Sequence, residues 1–324
     1  MRAARWWLIL LAVLAVSCGS QPGGQGGVRR LSIATGGTGG VFYPYGGGIA
    51  QVLSEDLGNA QVTAEVTAAS VDNLKFIKQG TSDLGFTMSD MAADAVAGRD
   101  AFKDFGAVPA RALAMLYPSY THLVTYAGSG IDTVADLRGR VVSTGSPGAG
   151  TTVLAERILS VSGLNPATDI RVHNLGVAQS VDALKDGKLD AFFWNGGLPT
   201  AAILDLVNSQ GITARILPLD DLIPALNQKY GEGTYTRAVI PKATYRLADD
   251  VPVVAVANLL VVAETMPEDL AHDITRILFD RQATLAGIHP QARELSIDRA
   301  TAGASIPFHP GAIRYYRERG VWKE

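Results

Sequence analysis

The apolar and polar positions of this 324-residue chain fall into three regimes. Residues 6–16 form an unbroken apolar run behind Arg2 and Arg5, residues 19–27 are glycine-rich with no apolar period, and from Val28 onward short β-rich runs alternate with segments of helical period. The alternation predicts strands at 30–34, 61–66, 84–87 and 113–117, and helices at 42–57, 71–79 and 92–97. A β-rich stretch at 121–126 leads to a loop and helix over 146–162, a strand at 171–175, a helix at 178–185 and a strand at 191–194. A long apolar strand at 251–262 precedes helices at 269–278, 281–287 and 310–319. The βαβα order indicates an α/β sheet, and the roughly 300 residues after the glycine tract exceed what one core usually organises, so two lobes are expected. Lobe I is expected to take residues 28–124 and to receive the chain back at 254–324, with lobe II between them at 125–253.

The first apolar run is about eleven residues, short of the roughly 20 that a membrane-spanning helix needs. Its position behind two arginines reads as a secretory signal over residues 1–17. Ala15-Val16-Ser17-Cys18 has the form of a bacterial lipobox, so Cys18 is expected to be acylated and residues 18–27 to tether the folded part to a membrane. Cys18 is the only cysteine, which excludes an internal disulfide. The formal charge of −3 becomes −5 once Arg2 and Arg5 are removed, and no stretch gathers Lys and Arg as phosphate binding requires. Nucleic acid is therefore excluded as a partner.

The strongest local motif is Thr35-Gly-Gly-Thr-Gly-Gly-Val-Phe-Tyr-Pro, between the first strand and the first helix. Glycines let backbone N–H groups converge, and a helix N-terminus carries partial positive charge, so this is an anion-accepting turn. Its spacing fits neither G-x-G-x-x-G nor a P-loop. Polar turns at Ala69-Ser-Val-Asp-Asn and Met88-Ser-Asp follow the second and third strands, on the sheet edge where open α/β sheets bind ligands. Ser70 there also suits an N-cap. Gly145-Ser-Pro-Gly-Ala-Gly-Thr-Thr is a second glycine-hydroxyl loop opening a helix in the other lobe, and the two loops are expected to face one cleft. Enzymatic constellations are weak. The five histidines lack metal-ligand spacing, no G-x-S-x-G elbow occurs, and no thiol remains once Cys18 is lipidated. No cofactor, metal or catalytic residue is expected.

The motifs Ile33-Ala-Thr-Gly-Gly-Thr-Gly-Gly-Val-Phe-Tyr-Pro-Tyr-Gly-Gly, Ala69-Ser-Val-Asp-Asn-Leu, Asp83-Leu-Gly-Phe, Ser89-Asp90, Asp136-Leu-Arg-Gly, the Gly145 loop and His309-Pro-Gly-Ala-Ile-Arg-Tyr-Tyr together resemble the TAXI-type solute receptors of tripartite ATP-independent periplasmic (TRAP) transporters. The resemblance implies a type II periplasmic-binding-protein fold, two α/β lobes closing on a small carboxylate such as glutamate, glutamine, a dicarboxylate or a 2-oxoacid, and delivery to a membrane permease. It implies ligand contacts from Thr38, Gly39, Gly40, Tyr43, Ser70, Asn73, Ser89 and Asp90 in one lobe, and from Ser146, Gly148, Gly150, Thr151, Thr152 and Asn195 in the other. Asp90 is the candidate counter-ion should the ligand carry an amine. The rival readings are a receptor of an ABC-type importer and a ligand sensor for a membrane signalling partner.

Overall fold

The computed structural model describes residues 28–322. The leader, Cys18 and the glycine tract lie outside the described residues. The chain opens with three strand-turn-helix units: β1 (Arg29–Ala34) and α1 (Phe42–Asp56), β2 (Ala60–Glu65) and α2 (Ser70–Gln79), β3 (Leu84–Met88) and α3 (Ser89–Ala97). β1 runs parallel to both β2 and β3, with Ile33 facing Ala64 on one side and Leu84 on the other. β3 is buried at every position, and its Leu-Gly-Phe-Thr-Met sequence suits a strand covered on both faces. Three strands leaving in one direction put their three following turns on a single sheet edge.

The middle of the chain contributes β4 (Ala110–Tyr126), β5 (Val141–Ser143), α4 (Gly150–Val161), β6 (Arg171–His173), α5 (Val177–Lys185), β7 (Ala191–Gly196), α6 (Ala201–Asn208), β8 (Ala214–Leu217), α7 (Ile223–Tyr230), β9 (Thr236–Ile240) and α8 (Lys242–Tyr245). It ends with β10 (Val251–Ala263), α9 (Glu268–Asp280), α10 (Gln282–Ile288) and α11 (Pro310–Glu318). All the strands join in the order β2-β1-β3-β10-β4-β7-β5-β6, with β8 beside β4 and β9 beside β10. Among the described residues no helix is long and apolar enough to cross a membrane.

The two long strands connect the two halves of this sheet. β10 pairs with β9 over Val251 to Ala255 and with β3 over Asn258 to Val262. β4 pairs with β10 from Ala110 to Tyr120 and then with β7 from Tyr120 to Val124. The expected separate strands at 113–117 and 121–126 are thus one strand. Pro118 reads as a break because it lacks an amide donor, but it falls just before β4 hands over from one half to the other. The expected lobe boundaries at 124/125 and 253/254 lie inside these two shared strands. Short elements that the periodicity did not reveal, among them β5, β8, β9 and α6 to α8, complete the second half. They are three to eight residues long, too short to show a repeat.

Packing follows this division only for the smaller of two cores. A large core joins α1, β3 and β10 through Ile49, Leu53, Phe86 and Leu260 and extends across to Leu154 and Ile158 of α4. A second core gathers Val181 of α5 and Ile203 of α6 with Val124, Phe192 and Val253 of the strands and Tyr245 of α8.

Candidate functional site

A cavity of about 240 Å3 lies where the turns of the two halves meet. The first half supplies residues 36–42, 66–70 and Met88; the second supplies Gly145, Ser146, residues 149–151 and 175–179, and the end of β7 at residues 194–196. Tyr117 of β4 lines the strand side.

The turns are held by buried side chains. The Thr35 hydroxyl donates to the Glu65 carbonyl at 2.5 Å. The Asn73 amide donates to the carbonyls of Thr35 at 2.7 Å and Phe86 at 2.8 Å, while its oxygen accepts from the Thr67 hydroxyl at 2.6 Å. Asn73, expected as a ligand contact, is therefore a strut tying the first three units together. Just before α2, Ala69 adopts φ 90° and ψ −145°, a region an L-residue enters only under strain of about 1–3 kcal/mol. Its amide donates to Thr67 Oγ1 at 3.0 Å, and its carbonyl accepts the Asn73 amide of α2 at 2.9 Å. The strained turn brings the start of α2 to the cavity wall.

Of the residues singled out from the sequence, Thr38, Gly39, Gly40, Ser70, Ser146, Gly150, Thr151 and Asn195 line the cavity, so the two glycine-hydroxyl loops face one space. Six do not line it. Tyr43 is half-buried outside the lining, and its neighbour Phe42 takes the wall position. Ser89 is turned away, donating to the Gly303 carbonyl at 2.7 Å. The Thr152 hydroxyl donates to the Ser146 carbonyl at 2.7 Å, which shapes the loop from behind. Ser70 does not cap α2 but is its first residue, and its oxygen accepts the Met88 amide at 3.1 Å. Gly148 bridges the halves: its carbonyl accepts the amides of Val71 at 3.1 Å and Asp72 at 3.2 Å. At φ +82° and with the Asp72 carboxylate 2.5 Å from where a Cβ would stand, that position admits only glycine. Gly40 is likewise fixed by closeness, since a Cβ there would come within 2.8 Å of the Trp194 ring.

Asp90 is the clearest departure. α3 begins at Ser89 rather than at residue 92, so Asp90 lies in its first turn, where its carboxylate accepts the Met91 amide at 2.9 Å. It faces Arg157 of α4 at 3.4 Å and accepts from the Tyr235 hydroxyl at 2.9 Å. Arg157, 4 % exposed, also pairs with Asp94 and, at 2.6 Å, with Asp100. Burial pushes the Asp90 carboxyl up, with Arg157 acting against it. Burial also works against the charge of Arg157, but Asp90, Tyr235 and Asp94 outweigh it and keep the guanidinium protonated. The candidate counter-ion is thus already engaged in a buried cluster outside the cavity.

Among the described residues, none that lines the cavity is charged. The hydroxyls of Thr38, Ser70, Ser146 and Thr151 donate to no acceptor among the described residues. The first amides of α2 and α4, at Ser70 and at Gly150 and Thr151, have no intrahelical acceptor, as at any helix start. Asn195 accepts from the Thr121 hydroxyl at 3.0 Å, which leaves its amide hydrogens for the cavity. Neutral donors from both halves converge on one space, an arrangement suited to an oxygen-rich anion. Sequence reasoning missed Tyr117, Met88 and Trp194, apolar or aromatic positions that look like core until the strands are placed.

A family model described as the NMT1-like family matches residues 33–320, and the chain belongs to that family. Among solved structures, the binding-protein component of an ABC phosphonate transporter from Pseudomonas aeruginosa superposes with a TM-score of 0.53 at 11% identity, covering 81% of this chain and 78% of that one. A structure from Bordetella bronchiseptica gives 0.52 at 18% identity, covering 89% of each chain. One from a study of glutathione import via GshT and the cystine ABC importer of Streptococcus mutans gives 0.51 at 13% identity, covering 87% of this chain and 99% of that one. The fold is the mixed α/β fold of type II periplasmic solute-binding proteins.

Proposed function

We propose that this member of the NMT1-like family is the extracytoplasmic solute-binding receptor of a TRAP-type uptake transporter, of the TAXI group, and that it captures a small carboxylate and presents it to membrane permease subunits. The observation that carries the reading is the neutral cavity, where four uncommitted hydroxyls and two helix starts meet across the seam between the halves. A carboxylate accepts from such donors without a cation, and the helix starts favour its charge. An α-ammonium finds no carboxylate there, because Asp90 is held by Arg157. This favours dicarboxylates and 2-oxoacids over glutamate or glutamine. Solute touching both halves stabilises the closed form, which is what a permease would recognise. Export and acylation at Cys18 would place the receptor at a membrane surface, and loss of lipid labelling in Cys18→Ser would support that placement.

The ABC-importer reading draws on the solved neighbours, which at 11–18% identity speak for the fold alone. Uptake by reconstituted permease distinguishes the two, since dependence on an ion gradient favours the TRAP reading and dependence on ATP the other. Solute class is tested by thermal unfolding of the full chain with amino acids, dicarboxylates, 2-oxoacids and inorganic anions. A ligand at 100 times its dissociation constant adds about 2.7 kcal/mol to stability. The expected result is stabilisation by dicarboxylates or 2-oxoacids, weakened in Thr38→Ala and Thr151→Ala. Stabilisation by inorganic anions alone would overturn the solute class.

A further inference from the structure

The halves touch at two places around the cavity, and the two differ in kind. At one, the Gly148 carbonyl accepts the amides of Val71 and Asp72, and a Cβ on Gly150 would stand 3.0 Å from Ser70 Oγ. The uncommitted donors of Ser70 and Thr151 belong to this end. At the other, the glycine turn meets α5 and β7. A Cβ on Gly39 would lie 3.2 Å from the Ala178 side chain and 3.4 Å from that of Val177, and one on Gly40 would lie 2.8 Å from the Trp194 ring. The side chains that face the turn there are apolar, and Trp194, the largest of them, lines the cavity half-buried. Its indole is held in place, because Nε1 donates to Thr200 Oγ1 at 2.9 Å. Thr200 is fully buried and fixed in turn, its hydroxyl donating to the Gly197 carbonyl at 2.9 Å and its amide to the Tyr245 hydroxyl oxygen at 2.8 Å. A Cβ on Gly196 would come within 2.6 Å of the same ring, so neither glycine position leaves room for a side chain beside it.

We propose that Trp194 is the specificity-determining residue of the cavity, a fixed apolar wall across from the carboxylate donors that limits how long a solute can be. This rests on the carboxylate reading above and narrows it to short acids. A carboxylate at the Ser70 end directs the rest of the solute toward the Gly40 end, where the indole stops it. A ring held by a buried hydrogen bond does not swing aside without leaving a buried donor unpaired. One methylene too many therefore displaces the contact between the ring and the glycine turn, and with it the closing of the halves. The cavity volume of about 240 Å3 lies below the roughly 300–1,000 Å3 of drug-sized ligand sites, in keeping with a short solute.

The test is calorimetric titration of the full chain with two series whose members differ only in methylenes, pyruvate through 2-oxooctanoate and 2-oxoglutarate through 2-oxosuberate. In a series that the unmodified chain binds, affinity is expected to fall at least about tenfold at the first acid too long for the cavity. Trp194→Ala should move that fall to an acid longer by about two carbons. Trp194→Phe, which keeps an aromatic wall should the alanine variant not fold, should move it by about one. The absence of such a fall in the unmodified chain, or a fall at the same acid in the variants, would overturn the role of Trp194 and leave the carboxylate reading standing. Failure of both series to bind would overturn that reading and this inference with it.

Discussion

Two places on the seam between the halves solve opposite problems with the same helix. The first turn of α4 brings Gly150 and Thr151 to a cavity with no charged residue among the described ones that line it. Two turns later, Arg157 of the same helix enters a cluster with Asp90, Asp94 and Asp100. Positions seven apart fall on nearly the same helix face, so one face serves both contacts. At the cluster, charge is buried permanently and satisfied within the chain, which fixes how the halves meet. At the cavity, donors are left uncommitted and neutral, so a ligand completes them. The difference shows that charge here serves cohesion, and that recognition is left to hydroxyls and amides.

The largest expected effect breaks the cluster. Arg157→Met would leave Asp90 buried without its cation and Asp94 with Arg99 alone, and should cost about 3–5 kcal/mol, read as a lower denaturant midpoint. The comparison predicts that the surviving folded fraction keeps its order of preference among solutes.

Acidification probes β4, where His122 stands opposite Trp194 of β7. Burial lowers the His122 pKa from 6.5 to about 4, while in the unfolded chain it stays near 6.5. The folded state binds the proton later, so stability is intact above pH 6.5 and declines as pH falls toward 4, by a loss on the order of 3 kcal/mol. Unfolding midpoints measured across that window should fall, and His122→Gln should flatten the decline.

Smaller effects belong to the cavity. Thr151→Ala should weaken solute binding about tenfold, roughly 1.4 kcal/mol, with the ligand-free melting temperature little changed. Ala69→Gly should relieve a positive φ and add about 1 kcal/mol to stability in thermal unfolding. Were Thr151→Ala to cost as much stability as Arg157→Met, the division between cohesion and recognition would not hold.

The sequence displayed the three strand-turn-helix units because each has its own period and a glycine- or serine-rich turn. The two glycine-hydroxyl loops stood out for the same reason, and the structure brings both to one cavity. What it concealed depends on tertiary placement. Asp90 looks like a free carboxylate in a polar turn until Arg157, 67 residues later, reaches it. Asn73 looks like a ligand contact, yet its amide is spent on the backbone carbonyls of Ala34, Thr35 and Phe86. Tyr117 lies in a strand whose apolar run reads simply as core, and only the placement of the strands brings it to the cavity. Local chemistry marks turns; long-range pairing decides which polar groups remain available.

The most direct test of the account is calorimetric titration of the full chain with 2-oxoglutarate and with glutamate, which differ at the α-carbon by an oxo oxygen against an ammonium. A cavity of uncommitted donors with no carboxylate should bind 2-oxoglutarate at least about tenfold more tightly, since the ammonium would be buried without a counter-ion. Tighter binding of glutamate would contradict it, showing that a carboxylate such as Asp90 leaves Arg157 to meet the ligand.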